Sequence, residues 1–551
     1  MRNTMRKLSF WILPVVAGLA GCNTDLVLQN PNNPDVSRVL ARPVDVETSI
    51  ANSYGRMQQA AFGFNSSITP ALLTMSFENA SELNNWGLGP RSSLPRVAIA
   101  NTRGNLYQDE NQTQFTSSAR AARSAADGLT SLDQPGFTIG TAAADQRARA
   151  FAWLVMGAAN GNVALAYDSL TVVTPTNKGG APTLVSYKDA MVVALAQLDS
   201  AVVIAGRAPG FTLPDTWVNG NAFTSAQVVQ LARGWKARLR AGNSRTPAEA
   251  AANNWDAIIA DAAAALPTTL NVVQSNAAGS IWTIGDAQHY TYDTWSQMSP
   301  MIIGMADSAR NCGTGGDCYD AWLATSLNNR YAFLIKTADQ RFPSGESRDD
   351  QRTSSGVGSF PSPPRANLYY RNRRPTDPPG AAHNLSQYDF YRFQEWANTR
   401  NGVYPLMTRA EMDLLMAEGY IRKGDFANAM AKINLTREAN GRLPALTGIT
   451  SATQPISTSG SCVPRVPQAP NFTTASCGSI MEALKWEKRM ETAFTHFGAW
   501  FFDSRGWGDL PEGTALQYPV PYQELDVRGV PLYNLGGVGG PSSAPRGNYG
   551  Y

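Results

Sequence analysis

Apolar residues recur at three- and four-residue steps over long stretches of this chain, and that period predicts helices. Between Ala144 and Tyr167, the positions Ala148, Phe151, Ala152, Val155 and Ala159 form one apolar face. Comparable segments run over Thr113–Leu132, Tyr187–Ile204, Ser225–Ala241 and Trp255–Leu266, and a further helical stretch covers Val44–Ala61. Alanine at many of these positions lets helices approach closely. The pattern predicts a mainly all-α chain built from helical hairpins joined by short turns.

Hairpins of this length stack most simply as tetratricopeptide-like repeats. One copy is nearly explicit. Ala417-x-x-Tyr420-x-x-x-Gly424-Asp425-Phe426-x-x-Ala429 follows the repeat pattern, with Ala417 where a glycine is usual. Small residues suit a helix crossing, Tyr420 fills the gap between hairpins, and Gly424 makes the turn. Three regions break the helical period: 267–328, rich in Trp, Tyr, Asn and Gly; 341–400, rich in Pro, Arg and aromatics; and 448–479. Irregular stretches this long inside a folded chain tend to carry function. The Gly-, Pro- and Ser-rich tail from Gly536 is expected to be ordered only where it docks.

The N-terminus changes the compartment. Arg2, Arg6 and Lys7 precede a short apolar run, Leu8–Ala20, which ends in Leu19-Ala20-Gly21-Cys22. Residues 1–21 read as a lipoprotein signal peptide, which leaves 22–551 as the mature chain, anchored by acyl groups on Cys22. The formal charge is +3, and the signal holds three bases and no acid, so the mature chain is close to neutral. A neutral chain offers no global field for nucleic acid. Four further cysteines lie in local pairs, and export to an oxidising space predicts disulfides Cys312–Cys318 and Cys462–Cys477. The rival, a four-thiolate zinc site, lacks the close C-x-x-C pairs such sites favour.

Catalytic motifs are scarce. The three histidines, His289, His383 and His496, lie in separate contexts, and no zinc-protease, nucleophile-elbow or P-loop pattern occurs. No metal or cofactor is expected. A glycosidase using two carboxylates distant in sequence stays open, as does a scaffold lipoprotein that binds no nutrient. Arg371-Asn372-Arg373-Arg374, beside Tyr369-Tyr370, reads as a solvated or partner-facing loop. Two loops mix aromatics with neutral polar groups: Asn84-Asn85-Trp86, flanked by glycine, and Trp282 through His289, Tyr290 and Tyr292 to Trp295. Flat rings cover the apolar face of a sugar, and amides satisfy its hydroxyls. Asn84, Asn85, Trp86, Trp282, Tyr290, Tyr292 and Trp295 are therefore the candidate ligand contacts.

The C-terminal third resembles the SusD/RagB family of outer-membrane nutrient-binding lipoproteins. Tyr404 to Glu418 resembles that family's helix motif. Ile433-Asn434-x-x-Arg437 followed by Gly441-x-Leu443-Pro444 resembles its next signature. Glu487-Lys488-Arg489-x-Glu491-x-Ala493-Phe494 with Trp500-Phe501-x-Asp503-x-Arg505-x-Trp507-Gly508 resembles its C-terminal block. Thr408, Thr495 to Ala499 and Ser504 depart from the usual pattern. The charged residues of this block, Glu487, Arg489, Glu491, Asp503 and Arg505, are expected to hold the fold together as an ion-pair network. The resemblance implies an oligosaccharide- or peptide-binding lid on a SusC-like TonB-dependent transporter, lipid-anchored in the outer membrane, with no chemistry of its own.

Overall fold

A computed structural model describes residues 39–62, 67–81, 87–177, 182–283, 297–309, 319–354, 368–372, 385–393, 399–456 and 462–551. Eight helices build the scaffold: α1 Pro43–Phe62, α2 Gln108–Leu132, α3 Ala142–Ala166, α4 Tyr187–Ala205, α5 Ser225–Gly242, α6 Trp255–Ala263, α7 Arg409–Arg422 and α8 Phe426–Ala439. Each packs on the next in sequence, and α1 also packs on α3, α3 on α5 and α5 on α7. The result is four stacked hairpins with the odd helices as the inner layer, the nearest-neighbour arrangement of a helical repeat array. The alanine periodicity explains the burial: Ala148, Phe151, Ala152, Val155 and Ala159 of α3 are all fully buried.

Capping fixes where these helices begin. The hydroxyl of Thr224 and the side chain of Gln227 form a reciprocal capping box on α5. Asp425 caps α8, and Gly424 before it adopts φ +76°, which makes the turn of the α7/α8 hairpin. Tyr420 packs against both hydrophobic clusters of the molecule, as the repeat pattern requires.

Between the third and fourth hairpins the chain leaves the array and returns. Strand β1, Leu270–Gln274, follows α6, and β2, Gly402–Met407, precedes α7. They pair antiparallel with Val272 opposite Tyr404 and Val273 opposite Val403. This ladder closes the base of the inserted segment, so α6 and α7 still pack directly together.

Two more helices complete the core, α9 Ile480–Thr492 and α10 Ala499–Trp507. Their charged residues are buried and paired. Arg489 bonds Asp509 at 2.6 Å, and Lys488 bonds Asp503 at 2.8 Å. Arg505 departs from the expected ion-pair role. It donates instead to the carbonyls of Leu165 at 2.7 Å and Gly242 at 2.8 Å. It thereby satisfies orphan carbonyls at the C-termini of α3 and α5 and complements both helix dipoles. The tail is docked: Gly536 pairs with Ala98, and the buried Tyr549 hydroxyl meets Arg489 and Glu482. No described helix is long and apolar enough to cross a membrane.

Candidate functional site

The two candidate loops share a base. Ala80 and Gln297 form an antiparallel bridge, each amide donating to the other's carbonyl at 2.7 and 2.8 Å. Ala80 stands just before the first loop, and Gln297 ends the second. Asn84, Asn85, Trp86, His289, Tyr290, Tyr292 and Trp295 lie outside the described residues, but the stems that carry them meet at this bridge.

The first loop is clamped on its far side. Gly87 opens the short helix Leu88–Ser92 with φ +76°. A Cβ there would fall 2.3 Å from a carboxylate oxygen of Glu110, so both the backbone angle and the space demand glycine. The same carboxylate takes two hydrogen bonds from Arg91, at 2.6 and 3.2 Å, both side chains being buried. Arg96 lies over the Phe77 ring and donates to the carbonyls of Thr74 and Met75 at 3.1 Å each. Burial, reinforced by the Arg91 charge, lowers its pKa to about 9. Loop one is thus tied to α2 by an ion pair and to Thr69–Met75 by a guanidinium.

The second loop is anchored by Trp282. Its ring is 7% exposed, within the core, and stacks on Tyr54 of α1 with centroids 6.2 Å apart. Tyr54 in turn accepts a hydrogen bond from Trp235 of α5. Trp282 therefore has almost no surface to offer a ligand and serves as the loop's stem. Below the other stem, the Met298 amide donates to the Tyr388 carbonyl at 2.9 Å.

Other sequence candidates divide between burial and the undescribed segments. Cys462 and Cys477 are bonded, with Cα atoms 5.4 Å apart. Cys22, Cys312 and Cys318 lie outside the described residues, as do His383, Arg373 and Arg374. Arg371 corrects the expectation of a solvated loop. It is 2% exposed and bonds both oxygens of Asp389, at 2.7 and 2.8 Å, across the strand pair Tyr370–Asn372 and Tyr388–Phe390. Sequence spacing could not pair residues 18 apart through an irregular segment.

Among the described residues, the carboxylates of α9 and α10 form no open catalytic pair. Glu487 and Glu491 are enclosed with Arg341. Burial lifts the Asp503 carboxyl to about 6 against the pull of Lys488. Asp503, Glu411, Lys488 and His496 surround a void of only about 20 Å³. That holds a water, not a sugar ring. Burial and the nearby Arg238 hold His496 well below the ordinary histidine pKa, so it stays neutral. Among the described residues, no group of three or more His, Cys, Asp or Glu side chains could hold a metal.

The overall fold is similar to that of solved structures. A SusD superfamily protein from Bacteroides vulgatus superposes with a TM-score of 0.54 over 90% of this chain and 99% of its own, at 10% identity. Another, from Bacteroides thetaiotaomicron, gives 0.51 over 88% and 97%, at 13% identity. The fold is SusD-like. A Bacteroides vulgatus protein provisionally described as sugar-binding gives 0.50 over 88% and 96%, at 11% identity. No protein-family model and no curated protein sequence matches the chain. Within the SusD-like fold, the two candidate loops rise from the stem of the inserted segment and from the connection between α1 and α2.

Proposed function

We propose that this protein captures an oligosaccharide, or failing that a peptide, between the two aromatic loops and passes it to a SusC-like TonB-dependent transporter. In this reading, acyl groups on Cys22 hold it to the outer membrane, and no bond of the ligand is broken. The Ala80–Gln297 bridge carries the proposal, because it sets both aromatic loops on one base tied to the helical stack. Binding residues on loops held by a stiff scaffold are a common solution to recognition. The sugar-binding description of one structural neighbour agrees in ligand class.

A glycan array probed with the wild-type protein and with Trp86→Ala and Trp295→Ala tests the ligand. The variants should lose most of the array signal while melting at nearly the wild-type temperature. Full retention of binding in both variants would remove the loops from the site. Mild-detergent pull-down from the native host should recover a TonB-dependent barrel, and a Cys22→Ser variant should leave the outer-membrane fraction. Recovery of a clean monomer would refute delivery to a transporter.

A further inference from the structure

A second cleft lies between the first two scaffold helices. It is an open groove of about 430 Å³, lined by Asp45, Thr48, Asn52 and Arg56 from α1, and by Arg120 and Ser124 from α2, with Thr48, Asn52 and both arginines exposed. That volume falls in the range of small-molecule sites, roughly 300–1,000 Å³. Thr48, Asn52 and Arg56 repeat at four-residue steps, so they share one helix face, and Arg120 and Ser124 do the same on α2. Tyr54, which carries Trp282, lies two positions from Asn52 and Arg56 and faces the other way. The cleft is therefore separate from the loop stems.

Its charges are unusual for this region. Arg42 pairs with Asp45 at 3.2 Å, Arg123 pairs with Asp127 at 2.8 Å, and Arg147 pairs with Glu47. Arg56 and Arg120 have no carboxylate partner among the described residues, although both line the same cleft. The cleft thus gathers two guanidinium groups without a carboxylate partner, beside hydroxyl and amide groups and one carboxylate, Asp45, that Arg42 neutralises.

We propose that this cleft binds acidic saccharides, with carboxylate or sulfate groups held by Arg56 and Arg120. A guanidinium presents a planar fork that matches both anions. Asn52 can donate and accept, while Thr48 and Ser124, whose hydroxyls donate to the carbonyls of Val44 and Arg120, keep lone pairs that accept from ring hydroxyls. A neutral sugar would leave both positive charges uncompensated, and a bare inorganic anion would offer no donor to the accepting oxygens of Asn52, Thr48 and Ser124. The site would act beside the aromatic loops and does not depend on them.

Isothermal titration with a galacturonic acid trimer, its fully methyl-esterified twin, a sulfated galactose trimer and sodium sulfate tests this. The wild-type protein should bind at least one acidic trimer roughly tenfold or more tighter than the esterified one. That preference should weaken as salt rises. The double variant Arg56→Gln/Arg120→Gln should abolish the preference. It should melt like the wild type, because both side chains are exposed. Trp86→Ala should leave the preference intact, which separates this site from the loops. Equal binding of acidic and esterified trimers, binding of neither acidic trimer, or a preference that survives in the double variant would overturn the proposal. Sulfate binding as tight as the trimers would overturn the saccharide part of it.

Discussion

Arg341 and Glu487, 146 positions apart, meet face to face with neither side chain exposed: Arg341 donates to the two carboxylate oxygens at 2.8 and 3.0 Å. The same guanidinium bonds both oxygens of Asp339, and the Trp486 indole, Thr436 and Tyr369 satisfy the remaining acceptors of Asp339, Glu487 and Glu491. The inserted segment is thereby locked to α9. Removing one partner of a buried charge cluster typically costs about 3–5 kcal/mol, because the others are left uncompensated. Arg341→Met should lower stability in urea by that amount. Arg207→Met, at an exposed position, should change it by less than about 0.5 kcal/mol. Similar losses in both variants would contradict the role assigned to the cluster.

Glu78 gives a pH signature. One of its oxygens accepts from the Phe494 amide at 2.7 Å, and the other is buried without a hydrogen-bond partner. Burial drives its carboxyl well above the ordinary range, so the folded protein keeps this proton. The unfolded chain releases it near the usual pKa of about 4.3. Glu78 therefore costs stability increasingly as pH rises from there toward the raised folded value, by at most about 1.4 kcal/mol per pH unit. Glu78→Gln keeps the accepting oxygen and removes the proton. Its stability relative to the wild type should improve between pH 5 and pH 8, measured by urea unfolding. A difference that stays constant across that interval would show that Glu78 does not titrate in this way.

Trp282 and Trp86 should separate cleanly. Trp282→Ala removes a ring from the core beside Tyr54 and should cost about 3–5 kcal/mol. Calorimetry on the pure protein reads this as a large fall in melting temperature. Near-wild-type stability in Trp282→Ala would mean that the stem is not packed as described.

The Cys462–Cys477 bond closes a loop of 15 residues. Chain entropy puts the stabilisation from such a loop near 3 kcal/mol. Other ties hold the same segment: Arg437 donates to the Val463 carbonyl at 2.8 Å, and Arg465 bonds Asp320 at 2.5 Å. The double variant Cys462→Ser/Cys477→Ser should therefore fold with the same helical circular dichroism but unfold at lower urea. Loss of the folded state altogether would show that these ties do not suffice.

The scaffold was legible because its signal is local. The alanine period of α3 and the Tyr420–Gly424–Asp425 turn each need only a dozen neighbouring residues, and both appear where the pattern puts them. Helix ends shifted by a few residues, as with α2, which begins at Gln108 rather than Thr113. The site was harder to read. The Ala80–Gln297 bridge is made by backbone groups and leaves no trace in residue type. Trp282 sits in Gly-rich, aperiodic sequence much like that around Trp86, so nothing local marks it as a core anchor. Arg341 falls inside a segment that reads as irregular, and its partners lie far along the chain. The acids of the C-terminal block pointed to a network, but the arginine that neutralises them could not be found by spacing.

The β1/β2 ladder makes the stretch between Gln274 and Gly402 a cassette. Its two ends leave and rejoin the frame at adjacent strands, so its length and contents can diverge while the helical register on either side is preserved. Exchange between homologous chains would be an economical route to new ligand range. One condition limits it: an incoming cassette must bring a cation to the position of Arg341, or the acids of α9 would be stranded in the core. Modularity here is electrostatically licensed, and a chimera lacking that cation should unfold at lower urea, as expected for Arg341→Met.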